Sequence, residues 1–445
     1  MWFNQFYLRW SGRFRSSHHT KAPASPRRSM RPRLEQLEDR SLPSNFTAAT
    51  VHDLIAEINA ANKAGGRNTI TLTAPTTSPY VLSKVDNKTD GPTGLPVIAA
   101  GNNLTMVGNG NSIERSTDSG TADFRMFDVA SGASLTLEKL TLQNGLEDGS
   151  GSSARGGAIH NQGSLTLSGV TVQGNSAVGS SGANANSSSQ NGSNGQDATG
   201  GGVWSNGALT LEDGTVIHNN QALGGNGGNA FLNNRNEGTF NSFGGNGGKA
   251  SGGGVYIAGG TANLTGVTFS GNLSRGGVGG DGFFSFNVVE NAGRGGDAFG
   301  GGLSVAGGNV ALSSDTLQNN EAQGANFGNG ANGSPNPGAG LGGAIFISSA
   351  TVTLGNDTLY CNTSDGGGGG SGGGIFIWSG TVTFCNDTVQ SNTAPGGHGG
   401  GIYIASAATV YIDSFTVANT INNTDSSGTN GSTANIDGTY ILKNC

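Results

Sequence analysis

The sequence predicts an all-β protein: a right-handed parallel β-helix with three strands per coil and an N-terminal capping helix. Three observations lead there. The 445 residues include 82 Gly, only 11% are charged and 33% are hydrophobic, so the chain is either disordered or a repeat that needs glycine at fixed places. The phrase "GGAIHNQGSLTLSGVTVQGN", Gly156 to Asn175, returns in altered form from Gly200, Gly252, Gly300, Gly342, Gly372 and Gly399. Each phrase holds three short alternating runs separated by turn residues, and none shows a helical period.

The runs define three inward columns. The first is Ile159, Val203, Val255, Leu303, Ile345, Ile375 and Ile402; the second is Leu167, Leu211, Leu264, Leu312, Leu354, Phe384 and Ile412. The third is Val172, Ile217, Phe269, Leu317, Leu359, Val389 and Val417, and "LTLEKLTLQNG" at Leu135 to Gly145 is an earlier, less complete copy. No single coil can bury such residues, so coils must stack at roughly 4.8 Å, and about ten of them make a rod roughly 50 Å long. Parallel crossovers favour the right hand. The third run ends in Asn175, Asn220, Asn272, Asn320, Asn362 and Asn392, where stacked side-chain amides can form a structural ladder.

Four segments follow. Residues 1–44 form a leader, expected to be disordered, with nine Lys/Arg and three Asp/Glu up to Arg40; the remainder carries 13 and 26, a balance of −13. An acidic body without clustered Lys and Arg excludes nucleic acid as a partner. Residues 45–98 form a cap. Thr50 and Asp53 make a capping-box start, Leu54, Ile55, Ile58 and Ala61 share one helical face, Gly65 closes the helix, and a strand follows at Thr69 to Thr73. Residues 99–423 form the β-helix, and 424–445 a closing strand or tail. Insertions such as "VGSSGANANSSSQNGSNGQDAT" all enter after the Asn turn, and their composition predicts mobile loops along one edge. No apolar run is long enough for a transmembrane helix.

Three resemblances accompany these residues. "RPRLEQLEDRSLPS", Arg31 to Ser44, resembles the leader of many surface and secreted proteins of planctomycete bacteria, which implies export to the surface or the extracellular space, although "MWFNQFYLRW" lacks the apolar core of an ordinary signal peptide. Leu54, Ile58, Ala61 and Asn62 match the lead-in helix of bacterial β-helix surface proteins, with Val51 and His52 where Cys-Ser often stands. The repeated GG[AG][IVL] with a following [VLF]-x-x-N is similar to the repeat of the chlamydial polymorphic outer-membrane proteins from about Leu104 to Thr420, though only "FSGN" at Phe269 to Asn272 keeps that family's Phe. The translocating β-barrel of that family is not found before Cys445, so autotransport is not carried over.

Chemistry has few places to sit. After each first-column residue comes an outward one: His160, Trp204, Tyr256, Ser304, Phe346, Phe376 and Tyr403. Exposed rings in a row can stack on sugar faces, so Trp204, Tyr256, Phe346, Phe376 and Tyr403 are candidate glycan-binding residues; the alternative is that loops cover the row or that the rings only stack on one another. Asp315, Asp357 and Asp387 form an acidic column, open to three readings: Ca²⁺ ligands, the acid and base of a glycosidase, or caps of the bend before the third run. "GGVGGDGFF", Gly276 to Phe284, fits the calcium-binding nonapeptide but stands alone.

Neither the catalytic nor the metal reading gathers a full set of residues. "GHG" at Gly397 to Gly399 and "NTD" at Asn423 to Asp425 resemble parts of the polygalacturonase signature in reversed order, without its Asp-Asp or Arg-x-Lys. Pectate-lyase chemistry wants a basic residue, and the coils of the Asp column hold none. His160, His218 and His398 lack metal-ligand spacing. Cys361, Cys385 and Cys445 are too few for a disulfide framework; Cys385 aligns with Gly355 and not with Cys361, so both are expected as buried thiols. The sequence is therefore read as a non-catalytic structural or adhesive surface module with polysaccharide as partner and no resident cofactor. A carbohydrate-active enzyme and a calcium-stabilised adhesin are the alternatives.

Overall fold

A computed structural model of the chain describes residues 44–186, 191–231, 242–282, 292–330 and 336–445. The leader, apart from Ser44, and the tips of the insertions lie outside the described residues. What is described is a right-handed parallel β-helix.

The fold begins with β1 (Ser44–Ala48), which pairs in parallel with β2 (Gly66–Leu72). Between them runs α1 (Val51–Ala64). Thr50 and Asp53 form the expected capping box, Gly65 takes the C-cap at φ 62°, and Leu54, Ile58 and Ala61 are buried. An amphipathic helix here covers apolar residues that would face water at the open end of a stack.

Above β2 the coils rise in register. In the first column Ile159 pairs with Val203, Val203 with Val255, Val255 with Leu303, Leu303 with Ile345, Ile345 with Ile375 and Ile375 with Ile402. In the third, Val172 to Val389 pair in the same unbroken way. All these side chains are buried, in a single apolar core that runs the length of the stack. Each of the central coils adds two short strands to the expected three, one either side of its insertion, as at Ser176–Val178 and Ala198–Thr199.

The third column departs from expectation at its end. Val389 pairs with Thr420 and not with Val417, because Asp413 caps a short helix, α2 (Ser414–Ala418), by accepting the Thr416 N–H at 2.6 Å. Val417 lies in that turn and packs sideways on the core. Ile436–Asp437 and Ile441–Leu442 then pair with the last long strand, Ile402–Ile412, and close the stack.

The cysteines also differ from expectation. Cys385 sits over Gly355 as aligned, yet it is joined by a disulfide to Cys445, with Cα atoms 5.8 Å apart. Cys361 is exposed, not buried, because it occupies the left-handed turn residue, φ 55°, just before the ladder residue Asn362.

The described legs of the insertions are ordered by hydrogen bonds to their neighbours, where their composition suggests mobile loops. On the outgoing legs, Gly224, Gly227 and Ala230 donate N–H bonds to the carbonyls of Arg275, Val278 and Asp281 in the next coil, one bond every three residues. The intervening Gly225 and Gly228 donate to Gln196 and Ser193 of a neighbouring return leg. Period three with all bonds between chains is extended, polyproline II-like backbone packed side by side. At its most crowded positions only glycine fits: a Cβ on Gly228 would lie 2.0 Å from the Ala183 carbonyl oxygen, and one on Gly277 1.9 Å from that of Gly225. The third residue of each triplet points out, and its side chain braces the next coil; Asn229 Oδ1, for example, accepts the Asp281 N–H at 2.9 Å. At the base, Ala154, Ala177, Ala198, Ala222 and Ala250 fill the space between the legs.

These bonds predict slow hydrogen exchange. The amides of Gly225, Gly228, Gly245 and Gly248 should be protected at least about 100-fold over an unstructured peptide, equivalent to opening at a cost of roughly 3 kcal/mol. Free exchange at these glycines would show that the legs are loops after all.

Candidate functional site

The outward column is longer than the sequence suggested. Asp128 pairs with His160, His160 with Trp204, Trp204 with Tyr256, Tyr256 with Ser304, Ser304 with Phe346, Phe346 with Phe376, Phe376 with Tyr403 and Tyr403 with Asp437. The rings lie outside the sheet, as alternation requires, but they are not a row of exposed platforms. Trp204 is 7% and Phe376 4% exposed, while Tyr256, Phe346 and Tyr403 are half-buried.

Stacking and the bases of the insertions account for the cover. The His160 ring lies 4.6 Å from that of Trp204 and nearly parallel to it, and the Arg155 guanidinium sits over the same indole. Farther along, Phe299 leans on Phe346, and Phe376 stacks between Phe346 at 5.7 Å and Tyr403 at 4.7 Å. Ser304 breaks the file into two stacks.

Trp378 was missed by sequence reasoning and is the most open ring of the group, 55% exposed. It stacks on Phe376 at 6.2 Å. The signal was available: in Ile375–Cys385 the alternation that puts Phe376 outward puts Trp378 outward too. Trp378 and Tyr403 border an open groove of about 800 Å³ that Thr409, Asp437 and Thr439 also line.

The Asn ladder forms as expected. Each Nδ2 donates to the next Oδ1 from Asn175 through Asn220, Asn272, Asn320 and Asn362 to Asn392, at 2.9–3.1 Å. It continues through Asn423 to Asn435. Each Oδ1 also accepts the backbone N–H of the rung below, as Asn272 does from Asn220 at 3.1 Å. Each Nδ2 also binds a third-column carbonyl, as in Asn272 to Ile217 at 2.8 Å. The amides are fully used and fully buried, which leaves them nothing to offer a ligand.

The acidic column has the same character. Asp315 accepts the N–H groups of Val267 and Ser313, Asp357 those of Asp315 and Gly355, and Asp387 those of Asp357 and Cys385, at 2.7–3.2 Å. These carboxylates cap the bend before the third strand, and every oxygen faces a backbone donor. Threonine does the same at Thr215 and Thr416. Burial pushes Asp315 to about 7, Asp357 to about 6 and Asp387 to about 7, against the pull of the backbone donors.

The other motifs are absorbed by the fold. Asp281 of "GGVGGDGFF" accepts the Asn329 N–H within the glycine legs, and that motif's last two residues lie outside the described residues. Asn423 is a ladder rung, Asp425 holds the Ser427 and Thr433 hydroxyls, and His398 is exposed.

A second cleft, about 590 Å³, opens near the N-terminal end, lined by Asp90 on one loop, by Glu147 and Arg155, and by His160 of the strand Ile159–Asn161. Arg125, 2% exposed, spans its floor. It pairs with Glu147 at 3.0 Å and donates to the carbonyls of Asp90 at 2.7 Å and Gly156 at 3.3 Å. A Cβ on Gly91 would come within 2.9 Å of that guanidinium, so glycine lets the loop close on it. Burial pushes the Glu147 carboxyl up although Arg125 pulls it down. Beside this pair His160 Nδ1 lies 3.0 Å from Asp128 Oδ1.

Comparison with protein-family models, with curated proteins and with solved structures finds no match to this chain.

The acidic column predicts a pH dependence of unusual sign. A buried carboxyl raised above its unfolded value holds a proton that the unfolded chain has already lost. Its contribution is complete below about pH 4 and is lost as pH rises through about 7. Thermal melts of the C-terminal coils should therefore fall between pH 4 and pH 8, with a flatter profile in Asp315→Asn/Asp357→Asn/Asp387→Asn. A melting temperature that rises over this interval in the unaltered chain would show these carboxylates ionised in the fold.

Proposed function

We propose that this chain is an exported, non-catalytic structural or adhesive β-helix of the cell surface or extracellular space, and that it binds glycans at the C-terminal end of its outward aromatic column. The parallel β-helix fits surface and carbohydrate-related proteins, and the ring geometry supports glycan binding. The carrying observation is Trp378, a large exposed ring held by Phe376 at the lip of the open groove that Tyr403 shares. An aromatic fixed by its neighbours offers apolar area to a sugar face with little entropy left to lose. The groove's Thr409, Asp437 and Thr439 supply hydroxyl and carboxylate partners for sugar hydroxyls. Phe346 and Phe376 act in this reading as the stack that holds the platform, while Trp204 and Tyr256 stand on the far side of Ser304.

Export draws support from the Cys385–Cys445 disulfide, a cross-link that persists in oxidising compartments. The non-catalytic part draws support from the Asp column, whose oxygens are committed to backbone N–H groups.

Retention on immobilised neutral and acidic polysaccharides tests the reading. Trp378→Ala should weaken retention on the bound polymer about fivefold, the equivalent of roughly 1 kcal/mol of ring contact, and Trp378→Ala/Tyr403→Ala should weaken it further. Retention equal to that of the unaltered chain would remove the groove as the binding site.

A further inference from the structure

The N-terminal cleft carries a site that the glycan reading does not use and on which it does not depend. We propose that Asp90, Asp128 and His160 bind one divalent transition-metal ion of the zinc type, with a remaining coordination position open to the cleft.

The three residues reach one point from three separate parts of the chain. Asp128 and His160 are adjacent rungs of the outward column, and Asp90 sits on the loop that Arg125 ties down through its carbonyl. One ligand atom from each lies within 4.8 Å of the others. Asp128 Oδ1 and His160 Nδ1 are 3.0 Å apart, a hydrogen-bond distance that has to open only to about 3.4 Å for both to hold one tetrahedral ion through bonds of about 2.1 Å.

Two features set this group apart from an ordinary buried His–Asp pair. Asp128 is 0% exposed, yet its Oδ2 has no hydrogen-bond partner. A buried carboxylate oxygen left unpaired is costly, and a cation held by both oxygens of Asp128 would satisfy it. Arg125 does not bond it, being committed to Glu147 and to the carbonyls of Asp90 and Gly156. In addition the His160 ring is clamped flat against Trp204, which fixes its orientation as the partners of metal-bound imidazoles do.

The donor set selects the ion. One imidazole nitrogen with two carboxylates suits Zn²⁺ and its neighbours, whereas Ca²⁺ takes six to eight oxygens, which this cluster does not provide. Water or an anionic ligand from the cleft would complete the shell.

Titration of the full-length chain with Zn²⁺ alone, followed by calorimetry, tests this. The expected result is one site per chain that Asp90→Asn and His160→Gln each weaken at least tenfold, with no comparable site for Ca²⁺. Asp90 lies on an exposed loop, so Asp90→Asn keeps the fold; circular dichroism of both variants verifies that. Bound Co²⁺ should show visible d–d bands that His160→Gln shifts or removes. Absence of a stoichiometric zinc site, zinc binding equal in the chain and both variants, or Ca²⁺ binding in preference to Zn²⁺ at this cluster would each overturn the proposal.

Discussion

Every coil of this protein must meet its neighbour in register, and the buried amide ladder is where that requirement is most strictly imposed. Successive rungs from Asn175 to Asn423 are 45, 52, 48, 42, 30 and 31 residues apart in sequence. Their hydrogen bonds nevertheless stay within 2.9–3.1 Å. Apolar stacking alone does not hold register so tightly, because Ile, Leu, Val and Phe substitute for one another along the columns at modest cost. An amide whose four bonds are all made has one acceptable height. The Asp and Thr caps of the neighbouring bend repeat the same device with backbone N–H groups as donors.

Variation is exported to the insertions, and glycine makes it harmless. The legs differ in length between coils, yet their bases stack because the inner legs carry two glycines in most triplets, as at Gly224, Gly225, Gly227 and Gly228, while the third residue points outward. The result is a second hydrogen-bonded array beside the β-helix, in which backbone polar groups are satisfied without a β-ladder.

The columns, the helix cap and the Asn rungs were legible because each follows from a local rule: alternation for Val203 or Leu264, a capping box for Thr50 and Asp53, and a recurrent turn for Asn272. What escaped was set by tertiary contact. Glycine-rich runs are equally the signature of linkers, so composition could not show that Gly228 and Gly277 pack against neighbouring backbones. The cover over Trp204 comes from Arg155 and His160, and the disulfide partner of Cys385 lies 60 residues away. The N-terminal cleft had no sequence signal, since Asp90, Asp128 and His160 come from three coils without a shared motif. Val417 was misplaced because Asp413 starts a helix where a strand was due.

The two ends of the outward column thus offer different chemistry on one scaffold: carboxylates and an imidazole near Asp128, and rings near Trp378. Both depend on coils that hold their height, so the rung is the point to test. Equilibrium unfolding of Asn272→Ala, with the exposed insertion change Asn226→Ala as control, measures it most directly. Asn272→Ala takes the acceptor from the Asn220 N–H and from the Asn220 Nδ2, and a side-chain donor from the Ile217 carbonyl, and should cost about 3 kcal/mol or more at ~1–3 kcal/mol per buried group, with the control within about 1 kcal/mol. Equal stability of the two variants would contradict the view that the amide ladder holds the coils in register.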